Sequence, residues 1–308
     1  MQVYSRLEDF PKPTRAVVTL GTFDGVHCGH QKILSRLNEI ARQVEGESVV
    51  LTFFPHPRLI LNPQDDSLRL LNTIDEKINL LRKAGLQHLV IHPFTETFSQ
   101  MTYQDFVKQV LIDKLGVKTL VIGYDHHFGR NREGGMPQLL ELAPKLKFNV
   151  EQIPEQDINN VAVSSTKIRN ALQNGEISVA NSYLGYDYSF QGTVVTGKKL
   201  GRTLGFPTAN LHPDELYKLI PAEGIYAVKV EYENLFYKGM MSIGKNPTVG
   251  GTERTLEVNL LDFNGDLYGK KLRVYFKAWI RKEEKFTSLE DLQKQMEIDR
   301  AVTIKLLN

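Results

Sequence analysis

Two histidines stand three positions apart in the segment Gly21-Thr22-Phe23-Asp24-Gly25-Val26-His27-Cys28-Gly29-His30. At a helix start, both His27 and His30 could donate hydrogen bonds to one phosphate chain. That is the help a phosphoryl-transfer transition state needs, because its negative charge is spread over several oxygens. Glycines in the same segment let the backbone approach a phosphate, and the amides of a helix start add a positive dipole end. A second group, Ser164-Ser165-Thr166-Lys167-Ile168-Arg169, offers capping hydroxyls and a fork-shaped cation one turn on, an anion site in outline. A third lies far downstream. In Phe206-Pro207-Thr208-Ala209-Asn210, extended alternation puts Thr208 and Asn210 on one side, where their oxygens could share an Mg²⁺ ion. Taken alone, these residues also fit a glycine-rich turn with exposed histidines, an ordinary helix cap and a surface loop.

Elements able to position such groups follow from periodicity. Apolar runs at 16–20, 49–54, 88–92, 119–123 and 148–153 predict strands. Between them, helical spacing predicts helices over 30–44, 75–83, 102–115 and 137–146, with short helices over 166–173 and 177–184. Repeated strand and helix with continuous apolar strands calls for a parallel sheet covered on both faces, a Rossmann-like arrangement. The His-x-Gly-His segment then falls where open α/β sheets bind ligands, after a strand and before a helix. Beyond about residue 184 the pattern changes. Runs at 188–195, 224–232, 236–243, 255–263 and 272–277 read as successive strands, with Glu233-Asn234 and Asn264-Gly265 where hairpin turns would fall. Only 288–307 returns to helical spacing. This second part is expected to be a small antiparallel β-barrel with one C-terminal helix. We place the domain boundary at 185/186, giving domains 1–185 and 186–308.

The 308 residues suit two domains, and 41% hydrophobic with 24% charged residues suits packed ones. A net charge of +2 is too small to point to nucleic acid. The single cysteine, Cys28, leaves no internal disulfide and no cysteine-based zinc cage. No apolar run reaches the length of a membrane span and the N-terminus lacks a secretory pattern, so a cytoplasmic protein without a membrane partner is expected. Adjacent His126 and His127 point apart on an extended backbone, which favours structural or ligand-side roles over chelation of one ion.

At these residues the chain resembles the bacterial bifunctional riboflavin kinase/FAD synthetases. The first half does so through the segment 21–30, Thr52-Phe53-Phe54-Pro55-His56-Pro57, Gly123-Tyr124-Asp125-His126-His127-Phe128-Gly129 and the Ser-Ser-Thr-Lys-Ile-Arg run, over roughly residues 14–175. His126-His127 after Asp125 departs from the Phe-x-Phe-Gly of that pattern. The second half is similar to riboflavin kinases through the loop 197–211, Pro221-Ala222-Glu223-Gly224-Ile225-Tyr226, Ile243-Gly244-x-Asn246-Pro247-Thr248 and Glu257 ahead of 261–269. The resemblance implies ATP-dependent phosphorylation of riboflavin to FMN by the second domain and adenylylation of FMN to FAD, with release of pyrophosphate, by the first. For the adenylyltransferase it implies an ATP site of Gly21, Phe23, Asp24, Gly25, His27, His30, Ser164, Ser165, Thr166 and Arg169, with His27, His30 and Arg169 catalytic. Phe54, His56, Pro57, Asp125 and Phe128 would face the flavin. For the kinase it implies ATP contacts from Gly197, Lys199, Gly201, Thr208 and Asn210, Mg²⁺ on Thr208 and Asn210, and Glu257 as the base for the riboflavin 5′-hydroxyl. Two alternatives stay open on sequence. The first half could transfer a nucleotidyl group to another acceptor, such as phosphopantetheine, beside a regulatory barrel. The barrel could instead be an OB-like nucleic-acid module.

Overall fold

Ala16-Val17-Val18-Thr19-Leu20 has no polar face to turn to water, and all five residues are buried in β2 (Ala16–Leu20). The same holds for most of β3 (Glu47–Phe53). With β4 (His88–His92), β5 (Val117–Gly123) and β6 (Asn149–Ile153), these strands form a sheet in which every pairing is parallel. A short edge strand, β1 (Gln2–Tyr4), pairs with β4 and completes the order β1-β4-β3-β2-β5-β6. Its three residues carry too little apolar pattern to be read from sequence. Successive residues serve opposite faces: Val18 joins one buried cluster with Val49 and Leu111, and Val17 joins the other with Val50 and Leu37. The computed structural model describes residues 1–64, 67–124, 126–154, 163–197, 205–248 and 251–308, with 245–248 and 251–253 described by backbone alone.

The helix expected over 30–44 runs Cys28–Gln43 and buries Leu34, Leu37, Ile40 and Ala41 at helical spacing. The helix Ile74–Lys83 starts in a capping box between Thr73 and Glu76, which satisfies two amides at its otherwise unpaired end. The helix expected over 102–115 is not a simple α-helix. One α-turn, Tyr103–Asp105, capped by Thr102, passes into a π-helical stretch Phe106–Lys114, and the Leu115 amide reaches the Val110 carbonyl five residues back. The wider winding keeps Phe106, Val110, Leu111 and Leu115 together in the core.

Met1–Ser164 and Ser165–Asn308 form two compact units. The helices Ser165–Gln173 and Ile177–Leu184 therefore pack with the second unit. Within it, the Asn181 amide donates to the Phe276 carbonyl and the Ala222 amide to the Leu172 carbonyl. The remaining strands are β7 (Ser189–Val195), β8 (Ala209–Pro213), β9 (Gly224–Tyr232), β10 (Leu235–Thr248), β11 (Gly251–Leu260) and β12 (Lys271–Arg281). They close into a barrel in the order β10-β11-β8-β7-β12-β9, which leaves no free edge. Glu233 and Asn234 make the expected two-residue turn between β9 and β10, both with positive φ. Asn264-Gly265 is no hairpin turn. β12 pairs with β7 and β9 instead of β11, so 261–270 crosses between non-neighbouring strands to close the barrel. The last helix, Leu289–Leu307, matches the helical spacing of 288–307 and is capped by Ser288.

Candidate active sites

From β2 the chain proceeds outward to β3 and β4 on one side and later to β5 and β6 on the other. The order reverses between β2 and β5, and the crevice beyond their carboxyl ends is the natural ligand site of such a sheet. The segment leaving β2 fills this place. Phe23, Gly25 and Val26 all have positive φ, at 47°, 89° and 36°. A β-branched valine rarely tolerates that region, so the surroundings must impose this conformation. Asp24 is one of the restraints: its buried carboxylate accepts from the Leu71 amide at 2.9 Å and the Asn72 amide at 3.3 Å. His27 then caps the helix, its Nδ1 accepting from the His30 amide at 3.4 Å. That bond leaves the proton of a neutral His27 ring on Nε2.

The His27 and His30 rings stack with centroids 3.7 Å apart and 17° between their planes. Burial lowers the His27 pKa to about 4. Burial, followed by the neighbouring His27 and Lys77, holds His30 well below its ordinary value. Both rings are therefore neutral at pH 7. His30 Nδ1 is buried and has no hydrogen-bond partner among the described residues, a cost that a ligand oxygen would remove. Gly21, Phe23 and His30 border a cleft of about 680 Å³. Its far wall is aromatic: Phe53 lies 5.4 Å from Phe94 and 5.5 Å from Phe98, and Phe106 lies 5.5 Å from Phe128. A flat apolar ring system matches such a wall. His56, Pro57 and Phe128 line the cleft, as does Phe53 at the end of β3, whereas Phe54, the next residue, is not part of the lining. Phe94, Phe98 and Phe106 were not anticipated, since isolated phenylalanines in amphipathic stretches look like core. Asp125 lies outside the described residues. Ser164 ends the first unit, while Ser165, Thr166 and Arg169 begin the helix Ser165–Gln173, whose opposite face buries Ile168, Ala171 and Leu172.

In the barrel, strand register assembles the second site. Asn210 on β8 pairs with Glu257 on β11, and Glu257 pairs with Ser242 on β10. Thr208, just before β8, donates its hydroxyl to Glu257 Oε2 at 3.0 Å. Two contacts hold Thr208 there. Phe206 packs in a small core with Met240 and Leu261, and the buried Asn259 amide donates to the Pro207 carbonyl at 2.7 Å. The Asn210 side chain occupies the space that a Cβ on Gly197 would need. A hydroxyl, a carboxamide and a carboxylate on adjacent strands are hard oxygen donors of the kind Mg²⁺ accepts beside a nucleotide's phosphates. Among the described residues, no group of three His, Cys, Asp or Glu is placed to hold a metal ion. Glu283, which the sequence did not single out, lies beside this row. Its carboxylate accepts from Ser242 at 3.2 Å, and burial raises its pKa. Lys199 and Gly201 lie outside the described residues.

A ligand crevice with paired imidazoles in an α/β unit, followed by a barrel with a Thr-Asn-Glu row, defines a two-part enzyme of nucleotide phosphates. The FAD synthetase family model matches residues 9–167 and the riboflavin kinase model residues 184–307. The bifunctional riboflavin kinase/FMN adenylyltransferase of Listeria monocytogenes is 38% identical over 93% of this chain and 91% of its own. That of Bacillus subtilis is 36% identical over 94% and 92%. A crystal structure described as a macrolide-efflux protein from Streptococcus pneumoniae covers 98% of both chains at 34% identity, with a TM-score of 0.87. Among the described residues here, no helix is long and apolar enough to cross a membrane. The chain belongs to the bifunctional riboflavin kinase/FMN adenylyltransferase family. FMN adenylylation belongs to its N-terminal part and riboflavin phosphorylation to its C-terminal part.

Proposed function

We propose the following division of roles. In the first site, the FMN phosphate attacks the α-phosphorus of ATP and the bond to the β-phosphate oxygen breaks, releasing pyrophosphate. His27 and His30 donate to the phosphate chain as charge moves onto the leaving oxygens. Neutral rings suit this, because each keeps one N–H to give. Gly21, Phe23 and Gly25 bring the backbone to the nucleotide, and Asp24 holds their conformation. Ser164, Ser165, Thr166 and Arg169 complete the ATP site, and the aromatic cleft takes the isoalloxazine. The reading rests above all on the stacked His27–His30 pair at the sheet's switch point.

In the second site, the riboflavin 5′-hydroxyl attacks the γ-phosphorus of ATP, its proton passes to Glu257, and ADP leaves. Thr208 and Asn210 would hold Mg²⁺, which neutralises phosphate charge, and Gly197, Lys199 and Gly201 belong to the nucleotide loop. The helix Ser165–Gln173 carries Ser165, Thr166 and Arg169, so we assign residues 1–185 to adenylyl transfer and 186–308 to the kinase. Dependence on ATP and small flavins supports a cytoplasmic enzyme without nucleic-acid partners. Incubation with riboflavin and Mg·ATP, and separately with FMN and Mg·ATP, tests the scheme when the flavins are resolved chromatographically. FMN and FAD should form in the first case and FAD alone in the second. Failure of either conversion removes the corresponding site.

A further inference from the structure

The Thr22 carbonyl accepts two hydrogen bonds from inside the first unit, from Lys77 Nζ at 2.7 Å and from Thr52 Oγ1 at 3.3 Å. Lys77 is only 3% exposed, an unusual place for an ammonium. Burial lowers its pKa, and Asp24 opposes that shift. The Asp24 carboxylate lies at the other end of the same bend, engaged by the Leu71 and Asn72 amides. In a planar trans peptide, C=O and N–H point in opposite directions. Pinning the Thr22 carbonyl toward Lys77 therefore turns the Phe23 N–H away from it. That amide, on a residue 2% exposed, has no hydrogen-bond partner among the described residues. The bend is thus held in a strained form that offers a free donor beside His30.

We propose that Lys77 is a positioning residue for adenylyl transfer. Its buried ammonium pins the Thr22 carbonyl, aims the Phe23 amide at the nucleotide phosphates and adds a fixed positive charge beneath them. The inference rests on the reading of His27 and His30 as phosphate donors. A residue that only stabilised the fold would cost thermal stability and leave the turnover of folded enzyme alone. A residue that aims a donor costs turnover, because misplacing a donor by about 1 Å loses on the order of 10²-fold.

The test uses the full chain with Lys77→Met, Lys77→Gln and Lys77→Arg, reading kcat and KM for FMN adenylylation alongside thermal unfolding. Lys77→Met should lower kcat by about 10²-fold with the FMN KM unchanged. Lys77→Gln, which keeps a donor for Thr22 but no charge, should fall between Lys77→Met and the unsubstituted enzyme. Riboflavin phosphorylation should be unaffected in all three. A folded Lys77→Met with normal kcat overturns the proposal. Should that variant unfold, Lys77→Gln decides in the same way, and normal kcat in it overturns the proposal, whereas Lys77→Arg, which keeps charge and donor, should lose least. His27→Ala separates the layers: if it keeps full FAD synthesis, the underlying reading fails, whereas loss there with normal Lys77 variants sinks this inference alone.

Discussion

Thr208 donates its hydroxyl to Glu257 Oε2 at 3.0 Å, joining a residue before β8 to one in the middle of β11. The bond fixes one carboxylate oxygen and orients the other. Glu257→Gln keeps the shape and can still accept from Thr208, but it cannot take a proton from an alcohol. Riboflavin phosphorylation should fall by about 10²–10⁴-fold, the usual contribution of a general base, while FMN adenylylation persists. Separate assays of the two conversions on one preparation check this.

His27→Ala and His30→Ala each remove a preorganised donor from the first site. Each should lower FAD formation by about 10²-fold or more and leave FMN formation intact. Parallel loss of both activities would mean misfolding and not a catalytic role.

Acid should destabilise the first unit through His27. Its folded pKa of about 4 lies below the ordinary value of 6.5, so the unfolded chain takes up the proton first. The contribution is fully present above about pH 6.5 and is lost as pH falls toward 4, amounting to about 3 kcal/mol. Denaturant unfolding followed by first-unit probes should show a slope over this window. In His27→Ala the slope should flatten, and an unchanged slope would assign it to other groups.

Gly197→Ala places a methyl group where the Asn210 carboxamide now sits. Asn210 must move, so the kinase should show a raised KM for Mg·ATP at unchanged FMN adenylylation. An unaltered kinase KM would show that Asn210 does not contact the nucleotide.

A fragment 1–185 should convert FMN to FAD and leave riboflavin untouched. The helices Ser165–Gln173 and Ile177–Leu184 pack with the second compact unit, so this fragment will expose part of their buried faces. A shorter fragment ending at Ser164 lacks Arg169 and should be inactive. Equal activity of the two fragments would take Arg169 out of the site.

What the sequence determined by itself is local in its physics. The short apolar run Ala16–Leu20, closed by Gly21, reads as a buried strand by its length and β-branched content. The 3.6-residue stripe from Leu34 to Ala41 could only be a helix lying on it, and the His-x-Gly-His segment between the two had to fall at a strand's carboxyl end. Each of these signals is complete within a few positions of the chain. Tertiary structure alone decided the neighbours. The aromatic cleft draws Phe53, Phe94, Phe106 and Phe128 from four separate stretches of the chain, and of these only Phe128 stands where the family motif pointed to the flavin. Asp24 stands inside the most legible motif, yet its partners are amides 47 and 48 positions away. Glu257 meets Asn210 and Ser242 only through strand register, and the crossover at 261–270 exists because barrel closure pairs β12 with β7 and β9. Register and closure minimise the exposed backbone and apolar area of the whole unit at once. No short stretch of residues carries that information.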